Sequence, residues 1–155
     1  LLLSLLITPL ARQFKQSLLI NVRRLLGLYS FSYAFAHLVS YVLFDLQLDW
    51  PLLLSEIVKR PYITVGFVAW IILLCLTLTS NKTAQRSLGR RWQKLHNWVY
   101  LAVALVALHF LWSVKSDVIE PLIYMLLTLS LLLYRRDKLK RWVKNRINNT
   151  QISKK

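Results

Sequence analysis

Residues 25–44, LLGLYSFSYAFAHLVSYVLF, are twenty consecutive positions without Asp, Glu, Lys or Arg. Wound as an α-helix at about 1.5 Å per residue, such a run measures about 30 Å, the thickness of the hydrocarbon core of a bilayer. A second run fills 62–79, opened by Pro61, a residue suited to a first helical turn. A third lies within 88–115, and a shorter one, 122–134, continues an apolar stretch that begins at Val118. Lipid offers no hydrogen bonds to the backbone, so segments of this kind are confined to helices or closed barrels. Barrel strands alternate polar and apolar residues over about ten positions, which these continuous runs do not. The expected fold class is therefore an all-α membrane protein, a single domain over 1–155 with four full spans. The first ten residues, LLLSLLITPL, read as the end of a further span whose beginning lies upstream.

Charge sets the orientation. The chain carries 21 Lys and Arg against 6 Asp and Glu, a net charge of +15. A basic nucleic-acid-binding protein would present those charges as a patch on a soluble fold, whereas here they sit in short clusters between apolar runs, which excludes that class. Segments 11–24 and 80–94, with the tail 135–155, hold eighteen of the basic residues and alternate with the acid-containing connections 45–60 and 115–120. Positive connections stay on the cytoplasmic side, so the tail is expected inside and the acidic loops outside. In the tail, Leu139, Trp142, Val143 and Ile147 fall at helical spacing, which suits either a basic amphipathic helix on an anionic membrane surface or a solvated end. The single cysteine, Cys75, excludes an internal disulfide and reads as a small packing residue.

All three histidines fall inside apolar runs: His37 in 25–44, His96 and His109 in 88–115. Ionisable residues at such depth are costly and mark partners, cofactors or pathways. His37 follows Arg24 by thirteen residues and His109 follows His96 by thirteen, both travelling outward. With Arg24 and His96 near the inner face, His37 and His109 share a level about 20 Å further out. Two imidazoles at one depth on different helices suit the axial positions of one haem iron. Each histidine alone is also compatible with a hydrogen bond inside the bundle. Zinc chemistry is disfavoured, because no acidic residue or cysteine accompanies the histidines and no H-x-x-x-H spacing occurs.

The runs LLITPLARQFKQSLLINVRRLLGLYSFSYAFAHLVSY, RPYITVGFVAWIILL and LGRRWQKLHNWVYLAVALVALHFLWSVK resemble the MsrQ (YedZ) family. These are haem-binding membrane subunits of a bacterial protein-methionine-sulfoxide reductase system, within the ferric reductase-like transmembrane superfamily. The resemblance implies a bundle of about six helices in the inner membrane, with b-type haem held by His37 and His109 and His96 available to a second haem. It further implies FMN near the cytoplasmic face, supplied by an NAD(P)H:flavin reductase or by the quinone pool, and a periplasmic molybdopterin-containing subunit as electron acceptor. The chain departs from the wider superfamily where Arg23 and Arg24 stand in place of an inner histidine on the first complete helix. Arg23, Arg24, Arg90 and Arg91 are suited to haem propionates or a flavin phosphate, because guanidinium binds such anions in bidentate fashion. The same arginines also serve as positive-inside anchors, and Trp92, Trp98 and Trp112 as interface aromatics. No Gly-rich nucleotide fingerprint occurs, and the chain has three glycines in all. The expected role is an electron-transfer subunit rather than the substrate-reducing one. A stand-alone ferric or quinone reductase, and a non-redox transporter or assembly factor, are the alternatives from the same fold and from another class.

Overall fold

The computed structural model describes residues 1–13, 18–114, 116 and 118–134, so the basic tail, with its two alternatives, lies outside the described residues. Eight α-helices and one π-helical turn make up the described chain, with no strand among the described residues. They are α1 (Leu2–Gln13), α2 (Leu18–Ser40), continued by the π-turn Tyr41–Asp45, α3 (Trp50–Lys59), α4 (Pro61–Leu78), α5 (Lys82–Leu88), α6 (Arg90–His96), α7 (Val99–Ser113) and α8 (Ile119–Tyr134). Among the described residues three stretches, not the four expected from the sequence, are long and apolar enough to cross a membrane: Val22–Asp45, Pro61–Leu78 and Arg90–Ser113. The fourth apolar run forms α8, an apolar helix of 16 residues and so shorter than these three. The protein is a multi-pass membrane protein.

Helices α4 and α7 are apolar on every side, as helices are when lipid or protein surrounds them completely. They form the most extensive helix pair of the molecule. Their buried residues include Ala69 on α4 and Ala102 and Ala107 on α7, and such small side chains let backbones approach closely where lipid gives no hydrophobic drive to association. Val68, Ile71 and Leu101 remain exposed on the same two helices, where hydrocarbon is their natural neighbour. Cys75 is also exposed, on α4, rather than packed as the sequence suggested. Leu5 of α1 joins Tyr100 and Val103 of α7 in a buried cluster that Leu132 of α8 flanks. Several hydroxyls in these helices bond back to the preceding turn of their own helix. Thr128 Oγ1, for example, donates to the Tyr124 carbonyl at 2.8 Å.

The connections are more structured than their composition suggests. The basic stretch 11–24, read as a loop, is helical where it is described, since α1 reaches Gln13 and α2 begins at Leu18. Residues 45–60, also read as a loop, contain α3. Its start is fixed by Asp49, whose carboxylate accepts from the Leu52 N–H at 2.9 Å, and by Pro51 in the first turn. Within 80–94, Asn81 caps α5 and Gly89 separates it from α6.

Gly89 holds φ +48° and ψ −120°, a region closed to residues with a Cβ. Gly89→Ala is expected to cost about 1–3 kcal/mol, the price of a strained backbone site. Thermal unfolding in detergent, compared with the parent protein, measures it.

The helix expected to carry both His96 and His109 is not continuous. It tightens at Asn97 and Trp98: Trp98 N–H donates to Leu95 O at 2.9 Å and Tyr100 N–H to Asn97 O at 3.2 Å, both three residues back. These i to i−3 bonds make a 3₁₀-like joint between α6 and α7. The angle between the two histidines therefore departs from that of a straight helix.

Candidate functional site

Two cavities among the described residues are lined by the histidines. The first, of about 640 Å³, is enclosed by α2, the π-turn, α3, α4 and α7. Its walls are largely apolar and aromatic, with Tyr33, Leu38, Ile63, Phe67, Trp70 and Val106 among them. His37 and His109 enter from α2 and α7 with ring centres 6.4 Å apart and planes at 66°. The structure thus brings together the two histidines placed at one depth by counting residues.

The orientation of His109 is fixed by a backbone group. Its Nδ1 lies 2.8 Å from the Tyr62 carbonyl oxygen. A carbonyl only accepts, so Nδ1 carries the proton and Nε2 keeps its lone pair. This is the arrangement by which a metal-binding imidazole is held through its second nitrogen. The Tyr62 ring also stacks near His109, at 6.5 Å and 29°. Towards the α3–α4 corner, Arg60 Nη1 donates to the Tyr62 hydroxyl at 3.1 Å, and Arg60 forms an ion pair with Glu56. The Tyr62 hydrogen bond first and the Glu56 charge second raise the Arg60 guanidinium above its already high ordinary value.

The second cavity, of about 590 Å³, lies between the start of α2, the end of α4 and the α5–α6 segment. Its lining is more polar and strongly basic, with Arg23, Arg24, Lys82, Gln85, Gln93 and His96. Thr79, the C-cap of α4, ties this end together. Its hydroxyl donates to Cys75 O at 2.7 Å and lies 3.2 Å from His96 Nε2, and its carbonyl accepts from Trp92 Nε1 at 2.8 Å. With the hydroxyl proton committed to Cys75, Nε2 of His96 is the donor, the opposite tautomer from His109. The His96 ring also stacks on Trp92 at 4.0 Å. Trp92 is therefore a partner of a site residue as well as an aromatic near one end of a span.

Of the four arginines singled out in the sequence, Arg23 and Arg24 line this cavity, whereas Arg90 and Arg91 are exposed at the start of α6 and line neither cavity. Lys82, an ordinary loop cation in the sequence, lines the cavity in their stead. One side chain, Leu73, stands in the walls of both cavities and is buried between them. Among the described residues no cluster of three or more His, Cys, Asp or Glu is placed to hold a metal ion.

Residues 1–107 match the family described as ferric reductase like transmembrane component. Among characterised relatives, the protein-methionine-sulfoxide reductase heme-binding subunit MsrQ of Enterobacter sp. (strain 638) is 56% identical over 143 residues, covering 92% of this chain and 72% of that protein. The chain belongs to the MsrQ family. The MsrQ proteins of Cronobacter sakazakii and Klebsiella pneumoniae subsp. pneumoniae are 54% and 52% identical over the same length, covering 92% of this chain and 72% and 71% of theirs. No solved structure matches the chain. Gly66 went unnoticed in the sequence, although an isolated glycine inside an apolar helical run signals a packing or functional reason.

Proposed function

We propose that this MsrQ-family chain is the haem-binding, electron-carrying membrane subunit of a protein-methionine-sulfoxide reductase system, with b-type haem held between His37 and His109. The carrying observation is the 6.4 Å between the two rings across a cavity of about 640 Å³. Two imidazoles on opposite sides of one metal, each with its nitrogen about 2 Å from the ion and about 1 Å from its own ring centre, stand about 6 Å apart. The volume falls within the range of about 300–1,000 Å³ usual for cofactor and ligand pockets, and the apolar, aromatic lining suits a macrocycle. The Nε2 lone pair left on His109 by the Tyr62 carbonyl is the donor such a ligand needs.

The basic cavity fits an anionic group, and FMN is assigned there. Arg23, Arg24 and Lys82 offer its phosphate charge-assisted hydrogen bonds, while Gln85 and Gln93 offer neutral ones. A second haem on His96 finds less support, because its Nε2 proton is directed to Thr79 and no second histidine lines that cavity. Bound in these places, haem supplies one-electron transfer and flavin the exchange between two-electron donors and one-electron acceptors. The chain's own residues hold, orient and insulate: the two histidines hold, the Tyr62 carbonyl orients, the apolar lining excludes water, and Leu73 forms the partition. The donor is a cytoplasmic NAD(P)H:flavin reductase or the quinone pool. The acceptor is a periplasmic molybdopterin-containing subunit that itself reduces methionine sulfoxide in protein repair. On this reading the basic cavity faces the cytoplasm in the bacterial inner membrane and the tail is cytoplasmic, as the distribution of positive charge requires.

A reduced-minus-oxidised visible spectrum of the purified protein is expected to show the bands of a six-coordinate b-type haem. A protein that purifies folded and without such bands, even after haem is supplied during expression, refutes the assignment.

A further inference from the structure

Given a haem held by His37 and His109, we propose that Gly66 is a positioning residue for it, the missing side chain on α4 that lets His109 lie flat on the helix and sets the plane of its imidazole. A Cβ built at Gly66 would stand 2.7 Å from His109 Nδ1 and 2.8 Å from its Cε1, closer than non-bonded atoms tolerate. Gly66 stands four residues after Tyr62, one turn along α4, so the ring that reaches the Tyr62 carbonyl necessarily covers position 66. Helix α4 packs against α7 more extensively than any other described pair of helices, which leaves little freedom for α4 to retreat.

A glycine in the middle of a helix is unfavourable relative to alanine, so its place here needs a return. That return is the tautomer and plane of the ring. Pushed off position 66, Nδ1 loses its 2.8 Å bond to the carbonyl, the Nδ1-protonated form is no longer selected, and the ring leaves the 66° angle it makes with the plane of His37. Partners of this kind typically govern affinity by about 10–100-fold, although they never touch the metal.

The test compares Gly66→Ala with Val68→Ala, an exposed site on the same helix outside the cavity. Haem stoichiometry, the reduction midpoint and the ferric low-spin electron paramagnetic resonance spectrum are measured on each purified protein. The largest g value of that spectrum reports the mutual orientation of two axial imidazoles. Gly66→Ala is expected to shift this g value and the midpoint, or to lower haem retention about tenfold or more, with Val68→Ala matching the parent. If Gly66→Ala matches the parent in all three readouts, the proposal is overturned. If it fails to accumulate, the same substitution is made in a His109→Gly background, where the ring it would strike is gone. Recovery there to the level of His109→Gly alone, read by size-exclusion chromatography, supports the proposal, and equal failure in both backgrounds overturns it. A parent protein lacking b-type haem altogether would instead refute the functional assignment, which keeps the two failures distinct.

Discussion

His37→Ala and His109→Ala are each expected to abolish the proposed six-coordinate b-type haem, and His96→Ala to leave it in place. The expectation rests on geometry rather than on histidine count, since of the three histidines only His37 and His109 share a cavity, with ring centres 6.4 Å apart, while His96 ends the short basic helix α6 at the other cavity. Even a partner one shell out from a metal is worth about 10–100-fold in affinity, so loss of a direct axial ligand exceeds that. The readouts are the pyridine haemochrome stoichiometry and the ferric spectrum of each purified variant. His37→Ala is the cleaner of the pair, because removing His109 also leaves the Tyr62 carbonyl without its ring partner. Full six-coordinate haem in either variant, or its loss in His96→Ala, shows that the iron is held elsewhere.

The histidine pairing was legible in the sequence because a membrane simplifies the geometry. Charges mark the faces, the helical rise converts residue number into depth, and thirteen residues after Arg24 and after His96 reach one level. The apolar runs were legible for the same reason, since lipid leaves the backbone no alternative to a helix. At the membrane surface that constraint lapses, and there the sequence misled. Helix α3 was hidden by mixed charges, although Asp49 and Pro51 announce its start. Arg90 and Arg91 were grouped with Arg23 and Arg24 by charge alone, whereas they open α6 as exposed residues and that helix lines the cavity through Trp92, Gln93 and His96, with Lys82 on the wall beside them. The Tyr62 carbonyl that orients His109 has no side-chain signature, and it lies 47 residues away in the chain. No pattern within a single helix could reveal it.

Grouping the arginines by position instead of by charge yields the second large effect. Arg23→Ala combined with Arg24→Ala is expected to remove bound flavin, whereas Arg90→Ala combined with Arg91→Ala is expected to retain it. The first pair lines the basic cavity beside Lys82, and the second is exposed outside it. A hydrogen bond to a charged group is worth about 1.5–3 kcal/mol, so one lost arginine–phosphate contact weakens binding by about tenfold to a hundredfold. Two neighbouring losses do not simply add, and Lys82 keeps part of the attraction, so the double substitution is expected to fall near the upper end of that range. Each double substitution deletes two positive charges at the same end of the bundle, and any effect on membrane topology is therefore shared by both. Flavin fluorescence after denaturation, set against haem content in the same sample, separates the causes. Flavin lost with haem retained in the Arg23/Arg24 protein alone marks a local phosphate site. Equal flavin loss in both proteins would trace the effect to net positive charge at that end, and the basic cavity would then hold no specific flavin site.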